Sequence, residues 1–336
     1  MSFRNCKIVG RSVDPEVYHR IDIERGSPDY PISPSTLKEI ARCPHRWRAG
    51  YVSPDTKAKE WGNLLDTQLL TPERFEARYV LQPETYPAPA THASVKKGLI
   101  EAGSPLPWNG NATYCDNWLQ EQAAKDLQPV SAKQWLSLAD ATKRFAADEV
   151  LKDFLEASDR QVMVVGEWVD EGTKLVIPVR CLIDLVPWHE SEWGLKSLGD
   201  LKTTRSASPF AFKRFCYDMG YHVQAAFDLD LYNAATGEQR CQWCFLLQEN
   251  FAPWETSKCF LSQEFEQIGR SSYRESLALY ARCLKTGKWN GYDDHDEASQ
   301  GWSCLQADPW MESASMFAPK PDFEEEEAPE VSEMPS

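Results

Sequence analysis

Two short stretches decide the fold: Arg180-Cys181-Leu182-Ile183-Asp184 and Gly199-Asp200-Leu201-Lys202-Thr203-Thr204, whose aspartate comes sixteen residues after that of the first. In an extended strand alternate side chains share a face, so Asp200 and Lys202 project together while Leu201 points into a core. A charged pair flanking one apolar residue in this way needs water or a ligand. Asp184 comes late in an apolar strand and shares a face with Leu182 and Arg180. Residues 187–198 can form a turn, so the strands of Asp184 and Asp200 can lie side by side. Glu167 follows Val162, Val164 and Val165 on an earlier strand, with a turn at Asp170-Glu171-Gly172 between them. Three adjacent strands would then gather three carboxylates and one ammonium.

Carboxylates brought that close repel and raise each other's pKa. A divalent cation removes the repulsion, and hard oxygen ligands favour Mg²⁺ or Mn²⁺. Such an ion activates water and stabilises the charge that develops in phosphodiester cleavage. Lys202 would orient the attacking water or hold the scissile phosphate. Asp-x-Lys is common by itself, and a sheet surface with scattered charges is the competing reading.

Outward from these strands the pattern alternates. Ser33-Pro34-Ser35 opens a helix in which Leu37, Ile40 and Ala41 recur at helical spacing. Residues 61–70 read as a second helix. Residues 83–112, rich in Pro, Gly and Ala, read as a long surface segment, and 113–127 and 131–157 read as helical. After the strand cluster, 209–235 is mostly helical, 241–247 and 258–265 read as strands, and 267–286 as a helix. This order predicts an α/β fold, a central mixed sheet with a helical N-terminal part packed on it. Residues 1–27 are expected to be irregular, 28–292 to form the domain, and 293–336 to be an acidic, disordered tail.

Composition sets limits. The hydrophobic share is 42%, which fits a globular protein. No run of about 18 apolar residues exists, so no membrane span is expected. Met1 to Gly10 has no apolar core of a signal peptide, which points to a cytoplasmic protein in which the ten Cys are reduced thiols. The net charge is −15, and the segment 321–336 holds seven of the acidic residues and no Lys or Arg, leaving −8 on the rest. Nucleic-acid binders are often basic, so this balance counts against such a role without excluding it, because basic residues can cluster on one face.

Asp184, Asp200-Leu201-Lys202 and the following Tyr221-His222-Val223-Gln224-Ala225-Ala226 together resemble the PD-(D/E)XK nuclease superfamily. More narrowly, the chain resembles the RecE-type exonuclease VIII family. The supporting pieces run in order: Pro34-Ser35-Thr36-Leu37, Gly62-Asn63-Leu64-Leu65-Asp66, Leu69-Leu70-Thr71-Pro72-Glu73, Glu167, Arg180 to Asp184, Asp200 to Thr204, the Tyr221 to Ala226 helix, and Gly287-Lys288-Trp289-Asn290-Gly291-Tyr292. They cover roughly residues 30–292. The resemblance implies a restriction-endonuclease-like core, a mixed sheet flanked by helices. It also implies Mg²⁺-dependent digestion of linear duplex DNA from an end, 5′ to 3′, leaving single-stranded tails for recombination. By similarity Asp184 and Asp200 bind metal, Lys202 supports the nucleophilic water, and Gln224 and Tyr221 sit beside the DNA. Arg180 and Arg205 are candidate phosphate contacts; for Arg180 a partnership with Glu167 or another carboxylate is the equal alternative, and for Arg205 a solvated helix face explains it about as well. A single-strand annealing recombinase, a homo-oligomeric state and a phage origin are further expectations.

Two departures matter. Where the family usually presents a histidine to the metal, this chain has Asp66, and a carboxylate ligates Mg²⁺ at least as well. Four residues after Gln224, where related nucleases often have Tyr, stands Asp228. Cys241-Gln242-Trp243-Cys244 lies in an expected strand, where i and i+3 face opposite sides, and Cys43, Cys259, Cys283 and Cys304 are scattered; structural thiols are expected rather than a cluster. A structure-specific endonuclease of the same superfamily and a catalytically silent DNA-binding subunit stay open beside the exonuclease.

Overall fold

A computed structural model describes residues 3–54 and 56–292. Six strands form the central sheet, in the order Phe3–Gly10, Ser158–Val169, Val176–Pro187, Ser197–Thr204, Gln242–Glu249 and Thr256–Phe260. All neighbours are antiparallel except Ser197–Thr204 with Gln242–Glu249, which run parallel. A parallel pair needs a long crossover. Here the helices Pro209–Asp218 and Tyr221–Thr236 supply it.

Both faces of the sheet are covered. One bears the helices Pro34–Arg42, Tyr221–Thr236 and Gln263–Thr286, whose Leu37, Ile40, Ala226, Leu229, Tyr273 and Leu277 pack on Val162, Val164, Ile183, Leu198 and Phe245. The other bears Lys57–Leu70, Ala132–Ala146 and Glu149–Glu156, whose Leu64, Leu65, Phe145 and Leu151 pack on Leu185, Leu201 and Leu246. Leu198 and Leu201 meet opposite layers, and so do Phe245 and Leu246. That is the reading of a strand buried on both sides.

Two glycines let the layers close on the Asp200 strand. A Cβ at Gly199 would lie 2.4 Å from the Phe154 ring, and one at Gly62 would lie 3.1 Å from Thr203 Oγ1. The helix carrying Asp66 therefore lies directly against the strand carrying Lys202.

The segment 1–27 is not irregular throughout. Phe3–Gly10 is the edge strand, paired to Ser158–Val169. Its polar, charged make-up hid it, because an edge strand buries only part of one face. Residues 83–112 contain a small hairpin, Thr85–Pro87 against Pro105–Pro107, and the helical turn Ala93–Lys96. The acidic tail expected over 293–336 lies outside the described residues. Among the described residues the cysteines are all free, and no helix is long and apolar enough to cross a membrane.

Candidate active site

The site begins as a fork in the sheet. The strands Val176–Pro187 and Ser197–Thr204 pair at Leu185 and Gly199. One step further in that register sets Asp184 opposite Asp200. There the ladder stops: the Leu201 N–H donates instead to Asp184 Oδ2, at 3.1 Å. On its other side Asp184 meets Gln161, whose neighbours Arg160 and Val162 pair with Leu185 and Ile183. The Gln161 amide donates to Asp184 Oδ1 at 3.1 Å. Gln161 does so with φ of 49°, a left-handed conformation that is costly for a side-chain-bearing residue and tends to occur where function fixes it.

A cavity of about 450 Å³ opens at this fork. Asp184, Asp200, Lys202, Leu182 and Gln161 come from the strands; Asn63, Asp66 and Thr67 from Lys57–Leu70; Ser35 and Lys38 from Pro34–Arg42; Gln224 and Asp228 from Tyr221–Thr236. Asp200 is 2% exposed. Gln224 donates to its Oδ1 at 3.2 Å, and Lys202 Nζ lies 2.7 Å from its Oδ2. The Tyr221 ring lies between two ammonium groups, 5.2 Å from Lys202 Nζ and 5.4 Å from Lys38 Nζ.

Burial and like charge dominate the electrostatics. Burial raises Asp184 well above the usual carboxylate range, and the charge of Asp200 adds to it. Burial and Asp200 push Asp66 up to about 7, against the opposing pull of Lys202. Asp228, one helical turn beyond Gln224, is raised well above its ordinary value by burial and by Asp200. Burial opposes the charge of Lys202, yet Asp200 and Asp184 hold its pKa above the ordinary lysine value. Lys38 is pushed down to about 8 by burial and by Lys202. The cavity thus holds more carboxylates than its ammonium groups balance without protons or a cation.

The donor set suits a hard divalent cation. It offers carboxylate oxygens, and Mg²⁺ keeps several waters and takes one or two carboxylates rather than an all-protein cage. Among the described residues no three His, Cys, Asp or Glu side chains close around one point. A full three-carboxylate grip by Asp66, Asp184 and Asp200 is therefore not assembled. The fit rests on Asp184 and Asp200 facing each other at the fork, with Asp66 lining the same cavity.

Glu167 is placed elsewhere, which corrects the expectation that it joins the carboxylate cluster. Its strand runs antiparallel to that of Asp184, and Glu167 pairs with Pro178. Six residues separate it from Gln161, about 20 Å of strand. Its carboxylate accepts from Arg4 and Asn5, each at 2.9 Å. Arg180, offered above as its alternative partner, instead stacks on the Tyr18 ring at 4.5 Å. Arg205 is exposed, just beyond the end of the Lys202 strand, and does not line the cavity. Gln161 and Lys38 were not anticipated. Nothing in a single strand marks Gln161, whereas Lys38 directly follows the Pro34-Ser35-Thr36-Leu37 piece and was open to notice.

Comparison with known proteins agrees with this architecture. A solved structure provisionally described as an exonuclease, from Eubacterium rectale, superposes with a TM-score of 0.52 at 12% identity, over 91% of this chain and 100% of that one. The structure of SSO0001 matches with a TM-score of 0.26 at 12% identity, over 52% of this chain and 70% of that one, too little to carry an argument. The first likeness is one of fold. No curated protein matches the chain in sequence. Residues 33–299, most of the chain, match the family described as "PDDEXK-like domain of unknown function (DUF3799)". The fold, the forked sheet and this match agree, and the chain belongs to that PDDEXK-like family.

Proposed function

We propose that the protein is a Mg²⁺-dependent deoxyribonuclease that degrades linear duplex DNA from an end. One observation carries the reading: Asp184 and Asp200 face each other at the fork of a PDDEXK-like sheet, in a cavity they share with Lys202. Asp184 and Asp200 would hold the cation, with Asp66 as a third oxygen donor or as a contact to its water shell. When bound, Mg²⁺ or Mn²⁺ acidifies water and neutralises charge on the phosphate.

The chain's own residues supply the positioning. Asp200 fixes the Lys202 ammonium, a point charge suited to orienting water or a phosphate oxygen. Gln224 holds Asp200, and Gln161 with the Leu201 N–H holds Asp184, so neither carboxylate is free to rotate. Tyr221 packs its ring against both lysine ammonium groups, which steadies Lys202. Arg205 stands outside as a contact for more distant phosphates. The 5′ to 3′ direction, a homo-oligomer and an annealing partner rest on the family resemblance.

The test is digestion of linear and closed circular duplex, with and without Mg²⁺. The expected outcome is loss of the linear form only, only with the metal, and faster release of label from 5′ ends than from 3′ ends. Nicking or linearisation of circles would replace the exonuclease by an endonuclease. Binding without cleavage would make the chain a silent DNA-binding subunit.

A further inference from the structure

Arg180 is 7% exposed. Among the described residues its guanidinium has no hydrogen bond or ion pair, and its buried Nε has no partner at all. Only its backbone N–H is bonded, to Ile32 at 2.9 Å. Glu167, two residues along the neighbouring strand from Val165, the residue that pairs with Arg180, is already satisfied by Arg4 and Asn5. A desolvated charge without a counter-charge is costly, and a well-packed apolar side chain in its place is usually more stable. The Tyr18 ring over its face, at 4.5 Å, offsets part of that cost and leaves the polar edge of the fork unmatched.

The position of this cation is informative. Arg180 precedes Asp184 by four residues, about 13 Å along the strand. Leu182, between them, lines the cavity, and so do Tyr18 and His19. Asp66, Asp184 and Asp200 line the cavity at the fork, while Glu16 and Asp228 also line it, Asp228 close enough to act on Tyr18. Behind Tyr18, and not itself lining the cavity, lies a buried planar cation whose Nε has no partner, a group whose geometry matches phosphate bidentately. We infer that Arg180 is the anchor of a phosphate subsite at the Tyr18 end of the cavity. At about 13 Å from Asp184 the phosphate it takes is a neighbour of the one being cleaved. Arg180 is thus a positioning residue that sets how far the strand is threaded. This inference rests on the nucleic-acid reading above for the source of its phosphate.

The experiment uses the full chain in EDTA, where no cleavage is expected, with Arg180→Met and Arg180→Lys. Two probes are compared: inorganic phosphate, read by melting temperature, and a fluorescent linear duplex, read by anisotropy over a salt series. Phosphate should raise the melting temperature of the wild type and not of Arg180→Met. Without ligand Arg180→Met should melt at or above the wild type. Its duplex affinity should fall about tenfold at low salt, with the salt slope smaller by about 1. Arg180→Lys, which keeps the charge and loses the fork, should fold and bind the duplex several-fold more weakly with the slope preserved. The inference is overturned if Arg180→Met melts lower or fails to fold, or if either variant binds duplex like the wild type. A wild type that responds to phosphate through Arg180 but binds no duplex would keep the anion subsite and remove the nucleic-acid reading.

Discussion

The two ends of one hairpin carry similar residues and do different things. At one end Glu167 pairs with Arg4 on the sheet edge, with side chains 34% and 51% exposed. At the other, Asp184 and Asp200 share a cavity with Lys202, and Asp200 is 2% exposed. Each end has carboxylate and cation on neighbouring strands. At the edge water screens both partners, so the pair is worth little. At the fork the ladder ends, the strands part, and the packed helices bury Asp200 almost completely. The same Coulomb attraction and repulsion then act at low dielectric and shift every group involved. Desolvation, more than residue type, separates a surface ion pair from a candidate catalytic centre.

The widest break in this comparison is catalytic. Asp184→Ala and Asp200→Ala should each slow digestion of linear duplex by about 10³-fold or more while the chain stays folded, as expected when groups that organise transition-state charge are lost. Glu167→Ala, at the other end, should stay within a few-fold of wild type. A rate loss for Glu167→Ala equal to that of Asp200→Ala, read as label released from a linear duplex, would erase the distinction drawn here.

Lys202→Ala should follow, at about 10²-fold, the scale of a positioned proton-handling or charge-handling side chain. Calorimetric titration with Mg²⁺ or Mn²⁺ should show binding largely retained, because an ammonium is not a ligand. If metal binding disappears together with activity, Lys202 holds the carboxylates in place rather than the water or phosphate.

Asp66 sharpens the comparison through pH. Its folded pKa, about 7, lies above the ordinary 3.8. A carboxyl raised in this way contributes stability that is complete below about pH 4 and is lost as pH rises through about 7, because the folded state then gives up a proton that it holds more tightly than the unfolded chain does. In EDTA the melting temperature should therefore fall across that window. Asp66→Asn should flatten the fall, and millimolar Mg²⁺ should reduce it in the wild type. A pH profile identical in wild type and Asp66→Asn would remove Asp66 from the desolvated cluster. Asp66→His, which introduces the residue that the RecE-type resemblance implies at this position, should keep part of the activity.

The smallest effect belongs to the edge. Glu167→Gln should cost less than about 1 kcal/mol, as exposed pairs do, and chemical denaturation would show it. A loss several times larger would mean that the Phe3–Gly10 strand depends on Glu167 to dock.

Legibility followed how local each signal was. The apolar runs around Asp184 and Asp200, the alternation through Leu201 and the helical spacing of Leu37 and Ile40 are short-range patterns, and their elements formed as read. Residues that work through strand register were harder. Glu167 and Gln161 sit on the same strand, and only the pairing of Arg160 with Leu185 and of Glu167 with Pro178 decides which one meets Asp184. The edge strand Phe3–Gly10 was missed for a related reason. It is charged and half-exposed, and its partner lies about 160 residues away along the chain.

Taken alone, the sequence determined the α/β class, the order of the elements from the Glu167 strand onward, and Asp184, Asp200 and Lys202 as the residues around which a site could form, because side-chain period and composition are properties of a segment. Only the tertiary structure decided which charges share a cavity. It brought Asp66, Gln161, Lys38, Gln224 and Asp228 to the fork, sent Glu167 to the edge and left Arg180 buried without a partner. Those outcomes depend on register, on the fork after Leu185 and Gly199, and on how closely two helical layers approach the sheet. These are long-range geometric facts, and they set the local dielectric on which the charge of each group depends.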